Sequence, residues 1–346
     1  MAGTIVGVDI GGYAARAVEV SGYATGKPVV VRQAEVPLPE ASVRRGEVIE
    51  VATVATALRR LWSTAGFSSK NVVLGMGGSR VFARELSVPR AGLDQIRESL
   101  PFLVQDQLPV PVSDVLLDFF PVSNEQTESG PQVSGLLVAA IEDAVNANVE
   151  ASIQAGLRPV HVDFVPFAIS RALAPVRSAK GSELLVGVGG NTTNVVVVRD
   201  GVPHFVRIIP NGGDDITRAI AQRMEWAPER AEQAKRALGM NTAMTRPEDR
   251  QIIEIIYEVV GELMTSISNT LNYYIGTKAS VPVQRVLLNG GGARLTGFGQ
   301  SLSELLRVPV VQADPFASIT MPRKLKPTDT QDTFATAFGL ALGDHS

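Results

Sequence analysis

The sequence predicts an α/β fold in which two duplicated domains flank a cleft, with a smaller α/β unit inserted into the first. Three observations predict it. Two strand–Gly-Gly–strand units of one design stand in the two halves of the chain, and a buried strand further on runs into three consecutive glycines. A glycine turn lets backbone amides point outward where side chains would block them. The same device used twice reads as an internal repeat.

The first unit is residues 4–20, where Ile5, Val6, Val8 and Ile10 approach Gly11-Gly12 and a second strand leaves through Ala17, Val18 and Val20. The second is residues 184–206, where an apolar run enters Gly189-Gly190-Asn191-Thr192 and Val195 to Val198 return as a hairpin. The third is residues 286–306, a strand, three glycines and a helix. Between the first two, residues 72–88 read as paired strands, and 92–108 as an amphipathic helix closed by Pro109-Val110-Pro111. Strands are expected near 115–122 and 133–141, separated by the polar stretch 123–132, and a helix from Glu142 to Ala155 stops at Gly156. Residues 248–275 carry Ile252, Ile255, Ile256, Val259, Val260, Leu263, Ile267 and Leu271 at helical spacing, which reads as core packing. These elements place a first domain at 1–175 with its insertion at about 70–160, and a second at 176–346 with a helical subdomain at about 214–280.

Bulk composition excludes several functions. At 346 residues, 45% hydrophobic and 19% charged, with net charge −3, the chain is long enough for two cores and carries no basic excess for a nucleic-acid backbone. The short basic runs Arg44-Arg45 and Arg323-Lys324-Leu325-Lys326 read as solvated loops. There is no cysteine, so disulfides, thiolate metal sites and a thiol nucleophile are excluded. His161, His204 and His345 have no metal-site spacing. The N-terminus enters a strand-like run without a secretory pattern, and no window approaches the ~20 apolar residues of a membrane span. The C-terminus shows no basic amphipathic helix. Work at a membrane would therefore need a partner to hold the chain there.

Glycine turns after strands suit phosphates, because the backbone approaches closely and its amides donate to phosphate oxygens. The GxxxxGK[ST] loop is missing, so this is not a P-loop protein. Two facing hairpins would clamp phosphates from opposite sides, and the third glycine loop would receive the nucleoside. Asp9, ending the first strand, would face a Mg²⁺ held through water, which needs only one or two carboxylates. Arg16 could reach back to a phosphate.

Four stretches carry a specific resemblance: VGVDIGGYAARAVEV, VGVGGNTTNVVVVRDGVPHFVRIIPNGGDDIT, VLLNGGGARLTGFGQSLSELLRVPVVQADPF and TAFGLAL. Together they resemble the actin-like ATPases, which include actin, the heat-shock chaperones, sugar kinases and FtsA. RELSVPRAGLDQIRESLPFLVQDQLPVPVSDVLLDF and AGLRPVHVDFVPFAISRAL resemble, within that superfamily, the PilM family of type IV pilus assembly proteins, as do the A-E-x-x-K spacing of Ala231, Glu232 and Lys235 and SISNTLNYY at 266–274. The likeness runs from residue 3 to residue 343. It implies an actin-like ATPase fold with an FtsA-like insertion, and ATP or ADP with Mg²⁺ in the cleft. Gly11, Gly12, Tyr13 and Arg16 would form the first phosphate loop, and Gly189, Asn191 and Thr192 the second. Gly212 and Gly213 would line the cleft floor, Glu232 and Lys235 would approach ribose and base, and Gly291, Gly292 and Arg294 would cover the nucleoside.

The family resemblance also implies a partner, the cytoplasmic N-terminal peptide of a PilN-like membrane protein, received in a groove beside the insertion. That partner would recruit a cytoplasmic chain to the inner face of the membrane, among other pilus platform and motor proteins. Phe102, Phe119 and Phe120 are candidate apolar contacts in the insertion, with core burial as their other reading. Self-association stays open, as do an FtsA-like polymerising ATPase and a small-molecule kinase of this fold; such a kinase needs an aspartate base in the first domain, and no obvious candidate stands there, because Asp106 and Asp118 lie in the insertion and Asp163 just before the connecting segment. Two departures bear on turnover. The second hairpin of the family begins V-D-I-G, but Gly187 stands at the aspartate position, and Val165 precedes Pro166 where catalytic relatives carry glutamate. Loss of both carboxylates predicts nucleotide binding with weak or absent hydrolysis.

Overall fold

The computed structural model describes residues 4–23, 26–128, 130–175, 181–241, 246–277, 282–317, 319, 321 and 330–343. The basic run at 323–326 and His345 lie outside the described residues. Strand β1 (Thr4–Ile10) turns through Gly11-Gly12 into β2 (Ala14–Ser21), and β3 (Val29–Pro37) continues the meander. A two-residue ladder, β4 (Val43–Arg44) with β5 (Glu47–Val48), leads into helix α1 (Val51–Ala65), which stops where Gly66 takes φ 67°. Then come β6 (Asn71–Met76), β7 (Val81–Pro89), α2 (Leu93–Val104), β8 (Val115–Thr127), β9 (Gly130–Ile141), α3 (Glu142–Gln154), β10 (Arg158–Phe164) and α4 (Val165–Leu173). The second half holds β11 (Ser182–Val188), β12 (Thr193–Arg199), β13 (Val202–Ile209), α5 (Gly213–Met224), α6 (Pro228–Leu238) and α7 (Pro247–Thr277). It ends with β14 (Val283–Asn289), a 3₁₀ turn at Gly291–Arg294, α8 (Phe298–Leu306), β15 (Val310–Gln312) and α9 (Ala335–Ala341).

The duplication is visible in the sheets. One has the order β10-β6-β1-β2-β3 and the other β13-β12-β11-β14-β15. Read from the meander end, each sheet has three antiparallel strands followed by two parallel ones. The central strands β1 and β11 are buried along most of their length, as continuous β-branched runs require. Helix α7 covers one face of the second sheet with the predicted stripe: Ile252, Ile255, Ile256, Val260, Leu263, Ile267 and Leu271 are all buried.

The two closing helices are exchanged between the halves. α9 packs on the first sheet, where Ala337, Phe338 and Leu340 join Ile5, Val18 and Val73. α4 places Ile169 among Leu185, Val196 and Leu287 of the second sheet. The two helices also touch each other: Arg171 Nε donates to the Gly339 carbonyl at 3.0 Å.

The third sheet, β7-β9-β8, draws its strands from residues 81–141, the stretch read in sequence as an insertion. Two readings of this region are corrected. Residues 72–88 are not paired with each other: β6 lies parallel between β1 and β10 in the first sheet, while β7 pairs with β9. Residues 123–132 are not a loop between two strands; β8 and β9 pair out to Thr127 and Gly130, so 123–127 and 130–132 of the polar stretch are ladder. Its side chains face outward at the end of the hairpin, where polarity costs nothing. In the insertion Phe119 is buried, Phe120 stacks on Phe167, and Phe102 on α2 is 80% exposed. Among the described residues no helix is long and apolar enough to cross a membrane.

Candidate functional site

Both hairpin turns close in the same way. Gly11 N–H donates to the Ala14 carbonyl at 3.1 Å, and Gly189 N–H to the Thr192 carbonyl at 2.9 Å. The turns meet across the cleft. A Cβ on Gly12 would stand 2.3 Å from Asn191 Oδ1, and one on Gly190 would stand 2.7 Å from the Tyr13 ring. The Tyr13 hydroxyl donates to Asp214 in the first turn of α5, although the residue as a whole is 46% exposed. Asn191 Nδ2 donates to the other oxygen of the same carboxylate at 3.0 Å. Burial, and then the Asp214 carboxylate, push the Tyr13 hydroxyl well above the usual phenol range, so it stays a donor.

The second turn and the start of α5 are laced together by backbone. Gly213 N–H donates to the Gly189 carbonyl at 2.9 Å and Asp214 N–H to the Gly190 carbonyl at 2.8 Å. Gly212 N–H donates to Asp215 Oδ2 at 2.7 Å, which caps the helix. Gly292, on the 3₁₀ turn, has its Cα 3.5 Å from where a Gly213 Cβ would be, and its own Cβ would meet Val188 at 2.6 Å. No atom of the described residues lies within 4 Å of the Gly291 Cβ position, so that side of the turn is open. A cradle that admits only bare backbone, formed from four separate segments, fits a phosphate-bearing ligand.

Glu232 and Lys235 are at the edge of this cradle and engaged with each other. Lys235 Nζ lies 2.5 Å from Glu232 Oε2 and donates to the Gly213 carbonyl at 3.0 Å and to Thr217 Oγ1 at 2.8 Å. Thr217 donates to Glu232 Oε2 at 2.5 Å, and Arg236 Nε to Oε1 at 2.6 Å. Burial pushes the Glu232 carboxyl up, but the hydrogen bonds from Lys235, Thr217 and Arg236 outweigh it and hold the group down at about 2. A carboxyl depressed from 4.5 adds stability above about pH 4.5, and this is lost as pH falls towards 2. Allowing for solvent screening, the contribution is on the order of 1–2 kcal/mol. Glu232→Gln should therefore melt below the native chain at pH 7 and close most of the gap only as the pH falls to about 2; melting curves across that range check it.

Asp9 and Arg16 face each other across β1 and β2. Burial raises the Asp9 carboxyl above its usual range, and the Arg16 charge opposes that rise. A divalent cation nearby would favour the charged form further, so the residue fits a water-mediated Mg²⁺. Arg16 forms an ion pair with Glu35 at 2.9 Å, while its Nη1 stands 3.9 Å from the Gly11 Cβ position, within reach of the turn. Arg294 is turned differently from expectation: it pairs with the buried Asp332 at 2.6 Å, whose other oxygen accepts from Gln312. The structure thus joins Gly11, Gly12, Tyr13, Gly189, Asn191, Thr192, Gly212, Gly213, Gly292, Glu232 and Lys235 in one cluster. Asp214 and Thr217 were missed in sequence, although Asp214 directly follows the Gly212-Gly213 pair that was singled out.

The positions tied to turnover are apolar or neutral. Val165 is buried at the start of α4, its Cβ 2.6 Å from the Cβ position of Gly77. Of the aspartates weighed as a kinase base, Asp163 is paired with Arg171 and Asp118 with Arg97 at 2.7 Å.

Two sheets of one order, each with a glycine hairpin that meets its counterpart, with exchanged closing helices and a glycine-rich 3₁₀ turn, define an actin-like ATPase fold. A sequence model described as type IV pilus assembly protein PilM matches residues 7–345, and the chain belongs to that family. A solved structure described as a PilM–PilN type IV pilus biogenesis complex is 28% identical, superposes with a TM-score of 0.85, and is matched over 98% of this chain and 97% of its own. The cell division protein FtsA of Pseudomonas aeruginosa is 21% identical, over 90% of this chain and 83% of its own length. FtsA of Bacillus subtilis is 20% identical over 58% of this chain, and the match spans about half (51%) of that relative's length. MreB5 of Spiroplasma citri, solved with AMPPNP, shares the fold at 10% identity and a TM-score of 0.55, over 97% of this chain and 94% of its own.

Proposed function

We propose that the chain is a nucleotide-gated scaffold of type IV pilus assembly. ATP or ADP with Mg²⁺ would lie between the two hairpins, and the closure of the halves would set a groove beside the inserted sheet. That groove would take the cytoplasmic N-terminal peptide of a PilN-like membrane protein, which would bring the chain to the inner face of the membrane. The solved PilM–PilN complex supports the partner. A depression of about 280 Å³ between the inserted sheet and β13, lined in part by Glu85, Ser87, Val122, Ser134, Gly135 and His204, is our candidate for the groove. It lies against both halves, so relative movement of the halves would change its shape.

The observation that carries the gating is the direct contact of the hairpins through Tyr13, Asn191 and Asp214. Hydrogen bonds to a charged group contribute roughly 1.5–3 kcal/mol each. A ligand present at a hundred times its Kd adds about 2.7 kcal/mol to the state it prefers. The two are of the same size, so nucleotide can shift the arrangement of the halves without being overwhelmed by it. Turnover is another matter. Val165 and Gly187 remove two carboxylates, and one lost positioning group costs about 10²–10³ in rate.

Titration of the purified protein with Mg-ATP, with phosphate release followed in the same sample and the partner peptide then added, tests the reading. Binding with little release, and a peptide affinity that differs between nucleotide states, is expected. A peptide affinity that ignores nucleotide would sink the gate, and brisk release would sink the weak hydrolysis.

A further inference from the structure

The shared strand order gives each residue of one hairpin a counterpart in the other. Counted back from the matching turns, Gly187 on β11 stands where Asp9 stands on β1. Asp9 faces Arg16 on β2, and Gly187 faces Asn194 on β12. On the other side Gly187 faces Asn289 on β14, while the β1–β6 register, continued by one residue, sets Asp9 beside Gly75. The halves have thus exchanged positions. The first carries its polar side chain on the central strand and glycine on the parallel neighbour; the second carries glycine on the central strand and asparagine on the neighbour.

Residues paired directly across a sheet share a face, so Asn194 and Asn289 stand on either side of Gly187 on one face of the second sheet. That face looks towards α4: Ile169 Cδ1 stands 3.4 Å from where a Cβ at 187 would be. Asn289 Oδ1 stands 2.4 Å from the same point, in the space a carboxylate at 187 would enter. Asn194 and Asn289 are only 8% and 4% exposed. Yet Asn194 Oδ1, an acceptor, and Asn289 Nδ2, a donor, have no hydrogen-bond partner among the described residues. Buried groups of this kind are ordinarily satisfied by protein or by ordered water, and an acceptor and a donor on one face are groups that a water can join.

We propose that Asn289, with Asn194, holds at the cleft floor a water from the hydration shell of the nucleotide's divalent cation, supplying from β14 the polar group that Gly187 leaves out of β11. The inference rests on the reading of the cleft as a nucleotide site, and it makes Asn289 a positioning residue. A neutral amide orients a water but takes no proton from it, so the arrangement serves binding and leaves hydrolysis without a base.

The test compares nucleotide affinity with Mg²⁺ and with EDTA in the native chain, Asn289→Ala and the exchange variant G187D/N289A. The native chain should bind more tightly with Mg²⁺. Asn289→Ala should lose at least tenfold of that gain, with affinity in EDTA within about twofold of native. The exchange variant should recover the gain, because its carboxylate enters the space that Asn289 vacates, and a merely structural asparagine would allow no such rescue. Asn194→Ala, on the opposite wall, should reproduce the loss, which keeps the test decisive where one variant folds poorly. A full Mg²⁺ gain in both alanine variants overturns the inference, as does an equal loss with and without Mg²⁺ that the exchange fails to repair. A native chain that binds nucleotide but ignores Mg²⁺ overturns the inference alone. A native chain that binds no nucleotide in either condition overturns the reading of the cleft and the inference with it.

Discussion

Gly212→Ala is expected to abolish measurable nucleotide binding and to lower stability by about 2–3 kcal/mol, the range of core overpacking. The reason is steric. At φ −161° the backbone is extended, a conformation open to any residue, so strain is not at issue. The added Cβ would stand 2.5 Å from the Gly190 carbonyl oxygen and 2.6 Å from that of Gly189. Both are backbone atoms, and both already accept the first amides of α5, so neither can swing aside. The turn and the helix would have to part, and with them the backbone that we propose holds a phosphate. Gly291→Ala is the matching control: its Cβ meets nothing, so stability should hold while any loss of affinity reports a ligand at that backbone. Calorimetric titration and denaturant midpoints of the two variants separate the cases. A Gly212→Ala protein that binds nucleotide like the native chain would mean that the cradle is not the site.

Much of this cradle was legible in the sequence, because a Gly-Gly pair after a β-branched run leaves the backbone few alternatives. The long helix α7 was legible for a similar reason, since its stripe repeats over many turns. What could not be read depends on partners distant in the chain. Residues 72–88 look like a hairpin about Gly77-Gly78, but β6 is drawn between β1 and β10 and β7 to β9, a choice made by sheet register. Ser123 to Thr127 have loop composition and become strand because β9 pairs with them. Asp214 was visible as a residue but not as the point where Tyr13 and Asn191 meet, more than twenty positions away in one case and about two hundred in the other. Arg294 reads as part of the third glycine loop, yet Asp332, near the far end of the chain, decides where its guanidinium goes. Asn289 reads as the end of an apolar strand until the register sets it beside Gly187.

Gly339→Ala should cost about 3 kcal/mol or more, at the upper end of overpacking, because both neighbours of α9 are backbone at that crossing. A Cβ on Gly339 would stand 1.8 Å from the Ala168 carbonyl oxygen of α4. On the opposite side of α9, a Cβ on Gly7 of β1 would stand 1.9 Å from the Ala337 carbonyl oxygen. The helix is therefore held between the central strand of the first sheet and the helix that leads into the second, at distances that only glycine permits. Arg171 marks the same contact by donating to the Gly339 carbonyl while its guanidinium pairs with Asp163. A displaced α9 pushes on α4, whose first residue, Val165, packs against Gly75 and Gly77 at the end of β6. The variant should thus weaken nucleotide binding as well as the fold, though the substitution lies away from both phosphate loops. Gly261→Ala, inside α7 with open space around it, should instead be neutral or stabilising by about 0.5–1 kcal/mol, as glycine-to-alanine changes in helices are. Urea midpoints of the two variants, read beside their Mg-ATP affinities, provide the measurement. If Gly339→Ala matches the native chain on both, α9 does not couple the halves through α4, and the closure of the cleft must be controlled by the hairpin contacts alone.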